Sequence, residues 1–117
     1  MRLSDAGPRG CLMNKPAKLL MILVDETDMW RDLPLYDAIC RKLVHLEAPG
    51  ATVQAGIMGF GSHQIIHRKG LFGVSDDRPI SISVVAPEEL LRSKIIPAIR
   101  PMVRDGVIFL MDVEVIP

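Results

Sequence analysis

In the stretch ISISVVAPEE, residues 80–89, the sequence changes from one periodicity to another. Up to Val84, β-branched residues alternate with serine, which predicts a strand with one buried face. Pro87 and two glutamates follow, and proline and negative charge both favour the first turn of a helix. The apolar residues after them have helical spacing: Leu91, Ile95, Ile99 and Met102. The stretch therefore predicts a strand followed directly by a helix.

Two prolines lie inside this helical pattern. Pro97 and Pro101 each remove one backbone hydrogen bond and clash with the preceding turn. We therefore expect a helix that is kinked or split. Gly106 ends it, and the apolar residues 107–116 predict a last strand.

A strand and a helix are also predicted nearer the N-terminus. Residues 18–24 form a continuous apolar run, which is short for a helix and suits a strand in the middle of a sheet. Asp32 is placed to cap a helix whose first turn contains Pro34, and the helix ends before Pro49. The buried positions predicted for this helix are Leu35, Ile39, Leu43 and Leu46.

Residues 51–58 alternate, with Val53, Ala55 and Ile57 on one face, and predict a half-buried strand. The complete order is strand, helix, strand, strand, helix, strand. This order predicts an α+β fold, a ferredoxin-like βαββαβ sandwich in which two helices cover one face of a four-stranded antiparallel sheet. We expect residues 17–117 to form this domain and residues 1–16, which show no periodicity, to be a flexible tail.

The other face of the predicted sheet has no helix to cover it. Residues 107–111 supply apolar side chains to both faces of the last strand. Because a large exposed apolar surface usually marks an interaction site, the sequence predicts that this face meets a partner.

The composition excludes several classes of protein. Fourteen basic and fourteen acidic residues give a net charge of zero, and 4% of the residues are aromatic, which argues against a nucleic-acid partner. No apolar run approaches the roughly 20 residues of a membrane span, so no membrane insertion is expected. The first residues lack the apolar core of a secretory signal, and two cysteines are too few for a disulfide scaffold. A cytoplasmic protein is the prediction.

The connection at residues 59–78 is long for a compact domain, and such connections tend to be functional. Glycines recur where the second strand ends, and glycine lets backbone amides approach an anion closely. A bulged or bending strand is the alternative explanation. Basic residues follow, which either pair with phosphate or form a solvated surface. The candidate ligand-binding residues are Gly56, Gly59, Phe60, Gly61, Ser62, His67 and Arg68.

Catalytic and metal-binding patterns are weak. His63 and His67 share a face only in a helix, and no third ligand accompanies them, so no metal site is predicted. Ser62 has no orienting carboxylate for nucleophilic catalysis. The prediction is a protein that is not an enzyme. The alternative is a small enzyme acting on a nucleotide or phosphate compound, with His63 or His67 as the acid–base group.

Several motifs in register resemble a known family. The chain from Lys18 to Ile116 is similar to the group catalogued as domain of unknown function 190, which is regarded as similar to the PII signalling proteins. The resemblance rests on PLYDAI at 34–39, GATV at 50–53, GIMGFG at 56–61, IH at 66–67, DDRPI at 76–80, Pro97 with Met102 and Val103, and DVEVI at 112–116.

This resemblance implies a ferredoxin-like subunit of a homotrimer. It further implies an adenine nucleotide as effector in clefts between subunits, and signalling through the loop at residues 59–78. A regulatory protein partner, such as a membrane transport protein, is expected with it. The chain departs from the family pattern at two positions. Ala55 stands where a basic residue is expected and Asp25 where glycine is common, and both changes weaken the attraction for phosphate.

Overall fold

The computed structural model describes residues 16–60 and 78–117. Its strands are β1 (Ala17–Asp25), β2 (Met29–Trp30), β3 (Leu33–Pro34), β4 (Thr52–Ala55), β5 (Pro79–Pro87) and β6 (Val107–Asp112). The main sheet has four strands in the order β4-β5-β1-β6, and each neighbouring pair is antiparallel. With the two helical segments, this topology confirms the predicted ferredoxin-like α+β sandwich.

The hydrophobic core lies between one face of the sheet and the helices. Strand β1 lies in the middle of the sheet, as its apolar sequence predicts, and Ile22 pairs with Ile82 of β5 and Ile108 of β6. Alternate residues of β1 and β5 are buried on this face: Leu20, Ile22, Val24, Ile80, Ile82, Val84 and Ala86. Burial of each large aliphatic side chain stabilises the fold by about 1.5–3 kcal/mol.

The first helix, α1 (Leu35–His45), buries Leu35, Ala38, Ile39 and Leu43 against this core. The predicted cap at Asp32 is wrong, because the helix follows Pro34 and has no side-chain cap. Residues 29–34 instead form the short hairpin β2–β3. The first amide of the helix, that of Leu35, donates to the carbonyl oxygen of Asp28 at 2.7 Å. Leu46 lies beyond the helix end and is only partly buried.

The second helical segment is split, as its two prolines predict. It consists of α2 (Glu88–Leu90), a π-helical stretch (Leu91–Ile95), α3 (Ile96–Ile99) and a 3₁₀ turn (Arg100–Met102). The backbone hydrogen-bond pattern of the helix changes along this segment, because Pro97 and Pro101 have no amide hydrogen to donate to the preceding turn. The predicted apolar stripe is buried in full: Leu91, Ile95, Ile99 and Met102. In residues 16–60 and 78–117, no helix is long and apolar enough to cross a membrane.

Two strands are shorter than predicted. Strand β4 ends at Ala55, whose partner is Ile80, so Ile57 is not on a buried strand face and is 94% exposed. Pairing stops there because the chain turns through Gly56. Strand β6 ends at Asp112, opposite Lys18, the second residue of β1.

The open face of the sheet is divided into a polar and an apolar half. Across β4 and β5 it carries Thr52 opposite Ser83 and Gln54 opposite Ser81. Across β1 and β6 it carries apolar side chains, several of them exposed. This apolar half consists of Leu19, Met21, Leu23, Val107, Phe109 and Met111.

Lys18 and Asp112 form an ion pair at one end of the β1–β6 pair, and Glu88 lies 4.0 Å from the same ammonium group. The hydrogen bond from Lys18 lowers the pKa of Asp112, and the bond to Asp112 raises the pKa of Lys18. A carboxyl whose pKa is lower in the folded state stabilises the fold above its unfolded pKa, and this stabilisation is lost as pH falls through the folded pKa.

Asp112→Asn should therefore make the protein less sensitive to acid. The variant lacks the carboxylate whose protonation weakens the native pair, so its melting temperature should fall less between about pH 5 and pH 3. Thermal melts across this range test the prediction. At neutral pH, Asp112→Asn should be slightly less stable than the natural protein. Parallel acid profiles for the two proteins would contradict it.

Candidate functional site

Three strand ends meet at one end of the sheet, which we term the loop end. Strand β1 ends at Asp25 and β4 at Ala55, while β5 begins at Pro79. The register pairs Asp25 with Pro79 and Ala55 with Ile80. This pairing brings together the glycine segment (residues 56–60) and a turn with three acidic residues (residues 25–28), which we term the acidic turn.

Two carboxylates of the acidic turn, those of Asp25 and Asp28, make hydrogen bonds within the turn itself. Asp25 Oδ1 accepts hydrogen bonds from the amide and the hydroxyl of Thr27 at 2.9 and 2.8 Å. Asp28 Oδ2 accepts from the amide of Asp25 at 2.9 Å. Such local bonds between an Asp side chain and the backbone stabilise turns. The acidic turn therefore has a structural role, and it places negative charge at the loop end.

Arg78 is held at the loop end by Glu26. The amide of Glu26 donates to the carbonyl oxygen of Arg78 at 2.9 Å, and Glu26 Oε1 accepts from the amide of Arg78 at 3.2 Å. Arg78 Nε lies 3.4 Å from the same carboxylate oxygen. The Arg78 side chain remains 49% exposed, so it provides a positioned cation beside the acidic turn.

The glycine segment packs on the ring of Pro79. A Cβ atom on Gly56 would lie 2.8 Å from Pro79 Cγ, and one on Gly59 would lie 3.0 Å from the same atom. The amide of Gly56 donates to the carbonyl oxygen of Pro79 at 2.7 Å. Glycine is required here for close approach of the backbone. Neither glycine has a φ in the left-handed region, so close approach to Pro79 is the reason for glycine at both positions.

Among the candidate ligand-binding residues, Gly56, Gly59 and Phe60 lie together at the loop end, and the Phe60 side chain is 69% exposed. Gly61, Ser62, His67 and Arg68, with His63, lie outside the described residues. Arg78 was missed as a site residue, although the motif DDRPI places it directly before strand β5. Within the described ranges, no group of three His, Cys, Asp or Glu side chains could hold a metal ion.

The strand order and the two helical segments on one face define a ferredoxin-like α+β protein, and the solved structures that share this fold are PII-like. The family DUF190, described as "Uncharacterized ACR", matches residues 17–115. The chain belongs to this family, which confirms the resemblance carried by its motifs. The UPF0166 protein of Aquifex aeolicus (strain VF5) is 29% identical over 99 residues, which are 85% of this chain and 92% of that protein.

Solved structures with the same fold come from Thiomonas intermedia K12. One is CPII bound to ADP and bicarbonate, which is 25% identical with a TM-score of 0.64 over 86% of this chain and 88% of that one. Another is CPII, a nitrogen regulatory PII-like protein, bound to ADP, AMP and bicarbonate, with 25% identity and a TM-score of 0.65 over the same shares of the two chains.

Proposed function

We propose that this protein is a non-catalytic PII-like regulator that binds an adenine nucleotide at the loop end of its sheet. One observation carries the proposal: the glycine segment and the cation of Arg78 meet at Pro79, in a fold whose solved relatives hold ADP and AMP. A glycine backbone offers amide donors to a phosphate, and arginine offers paired donors of fixed geometry.

The charge balance at the loop end favours weak rather than tight binding of phosphate. Asp25 adds a carboxylate beside Pro79, and Ala55 provides no cation on the neighbouring strand. Two hydrogen bonds from Thr27 reduce the negative potential of Asp25 Oδ1 without removing its charge. Arg78 supplies a positive charge at the loop end, and His67 and Arg68 are the further cations proposed for the site.

We also propose that the nucleotide controls the connection at residues 59–78. Both ends of this connection meet at Pro79, since Gly59 packs on its ring and Arg78 precedes it directly. A ligand that contacts the glycine segment and Arg78 therefore restrains both ends together. A loop that is restrained in this way offers a different surface to a regulatory partner, such as a membrane transport protein.

The functional unit that we propose is a homotrimer. The apolar half of the open face leaves Val107 53% and Met111 48% exposed in the single chain. Three copies that pack this face together remove it from water, which contributes about 25 cal/mol per Å² of apolar surface. In the trimer that we propose, the nucleotide cleft lies between the loop end of one subunit and its neighbour.

Replacing Arg78 by glutamine should weaken ADP binding about tenfold or more, because charge-assisted hydrogen bonds contribute about 1.5–3 kcal/mol when desolvated. Arg92→Gln is the matched control, since Arg92 also pairs with a glutamate through Nε and is 59% exposed, but lies on the second helical segment. Titration calorimetry of the natural protein and both variants with ADP provides the measurement. Equal affinities in the two variants would contradict a site at Arg78.

Product analysis of the same ADP mixtures separates the regulator from the alternative enzyme. Binding without any change in the nucleotide after prolonged incubation is the expected result. Conversion of ADP that is lost in His63→Ala or His67→Ala would instead support the small enzyme.

A further inference from the structure

A groove lies on the helix side of the sheet, next to the β2–β3 hairpin that follows the acidic turn. It has a volume of about 480 Å³ and is formed by the β2–β3 hairpin, α1 and the end of the second helical segment. None of its lining residues belongs to the loop end. Its floor is apolar, with Ala38 and Met102, and Trp30 forms part of its wall. Grooves of this volume fit small organic ligands.

The groove is positively charged although the chain as a whole is neutral. Arg31, Arg41 and Lys42 line it, with His45 beside them and Asp32 as the acidic residue of the lining. Arg41 pairs with Asp37 at 2.8 Å. Within residues 16–60 and 78–117, Lys42 has no ion-pair partner. Cations in the last turn stabilise a helix, which explains Lys42 and His45 but not Arg31 on the hairpin.

Arg31 has an unfavourable backbone conformation that brings its side chain to the groove. Its φ is 56°, at the first position of the two-residue loop between Trp30 and Leu33. Glycine is the residue that such a position favours, and strained positions with positive φ occur often at functional sites. The guanidinium of Arg31 lies 5.4 Å from the centre of the Trp30 ring, so the cation is placed on the aromatic wall.

We propose that this groove binds a small organic anion that carries a phosphate on an aromatic or apolar body. The phosphate contacts Arg31 and Lys42, and the apolar body lies against Trp30 and Met102. None of the residues that line this groove is among those proposed for the nucleotide site.

Trp30 is the single tryptophan of the chain, so its fluorescence reports on the groove directly. We expect phenyl phosphate to change this fluorescence to saturation, and benzyl alcohol, which lacks the charge, to give no saturable change. Added salt should weaken the phenyl phosphate effect, because the contacts are exposed to solvent.

The double variant Arg31→Gly with Lys42→Gln should weaken phenyl phosphate binding about tenfold. Arg31→Gly should not lower the melting temperature, because glycine adopts positive φ without strain. The control is Lys94→Gln with Arg104→Gln, which removes two exposed cations elsewhere and should leave the affinity within about twofold. If Arg31→Gly unfolds, Lys42→Gln alone should still weaken binding. The absence of a saturable change in the natural protein, or equal weakening in both double variants, would overturn the proposal.

Discussion

Phe109→Glu should convert an assembly of three subunits into folded monomers. Phe109 lies on the apolar half of the open face, opposite Met21 of β1, and is 37% exposed in the single chain. In the proposed trimer this ring is covered by a neighbouring subunit, so a carboxylate in its place loses its hydration without gaining a partner. Burial of such a charge costs several kcal/mol, which exceeds what one contact contributes to a subunit interface.

Light scattering at micromolar concentration measures the change in mass directly. Val44→Glu is the matched control, because Val44 lies on α1, away from the open face, and is 74% exposed. The control should keep the mass of three subunits. A natural protein that scatters as a monomer, or a Phe109→Glu variant that stays assembled, would contradict the proposed interface.

The parts of the fold that were predictable from the sequence are those with a strong local pattern. The alternation in residues 80–84 fixes which side chains of β5 face the core, because the side-chain period of a strand is two residues. The spacing of Leu91, Ile95, Ile99 and Met102 similarly fixes one buried stripe, even though prolines split the helical segment. In these elements the structure depends on which side chains are buried, and the spacing of the apolar residues in the sequence indicates those side chains.

The parts that were not predictable depend on pairing between distant residues. Ile57 continues the alternation of residues 51–58, yet β4 ends at Ala55 because the chain turns through Gly56 to pack on Pro79. Asp32 has a suitable side chain for a cap, but the hairpin β2–β3 moves it away from the start of α1. Tertiary pairing determines both outcomes, and local propensity is weaker than such pairing.

The sequence indicated the glycines of the candidate site, but it did not indicate that Arg78 and the acidic turn lie beside them. Glycines at the end of a strand already indicate a close backbone approach. The position of Arg78 beside Glu26 follows from the register of β1 and β5, which joins residues far apart in the chain. That register also brings the acidic turn to the glycine segment. The repulsion between the carboxylate of Asp25 and a phosphate ligand at the glycine segment therefore follows from the strand pairing and not from the sequence alone.

Gly56→Val should weaken ADP binding about a hundredfold and also destabilise the fold. The new Cβ would lie 2.8 Å from Pro79 Cγ, and the rigid ring of Pro79 cannot rotate away. The end of β4 must therefore move, which breaks the 2.7 Å hydrogen bond from the Gly56 amide to the Pro79 carbonyl. We expect a loss of about 1–3 kcal/mol in the free energy of unfolding, as for other overpacked positions. Affinity for ADP should fall about a hundredfold, which corresponds to about 2.7 kcal/mol.

Two further glycines make this prediction specific. Gly59→Val should have a smaller effect on stability, because its Cβ would lie 3.0 Å from the same ring. Gly50→Val is the control, since a Cβ on Gly50 meets nothing within 4 Å, and its stability should change by less than about 0.5 kcal/mol. Denaturant unfolding and ADP titration of the three variants give the order Gly56, Gly59, Gly50 for both losses. A folded Gly56→Val variant with natural affinity would place the nucleotide away from the loop end, because a displaced glycine segment cannot present its amides to a phosphate as before.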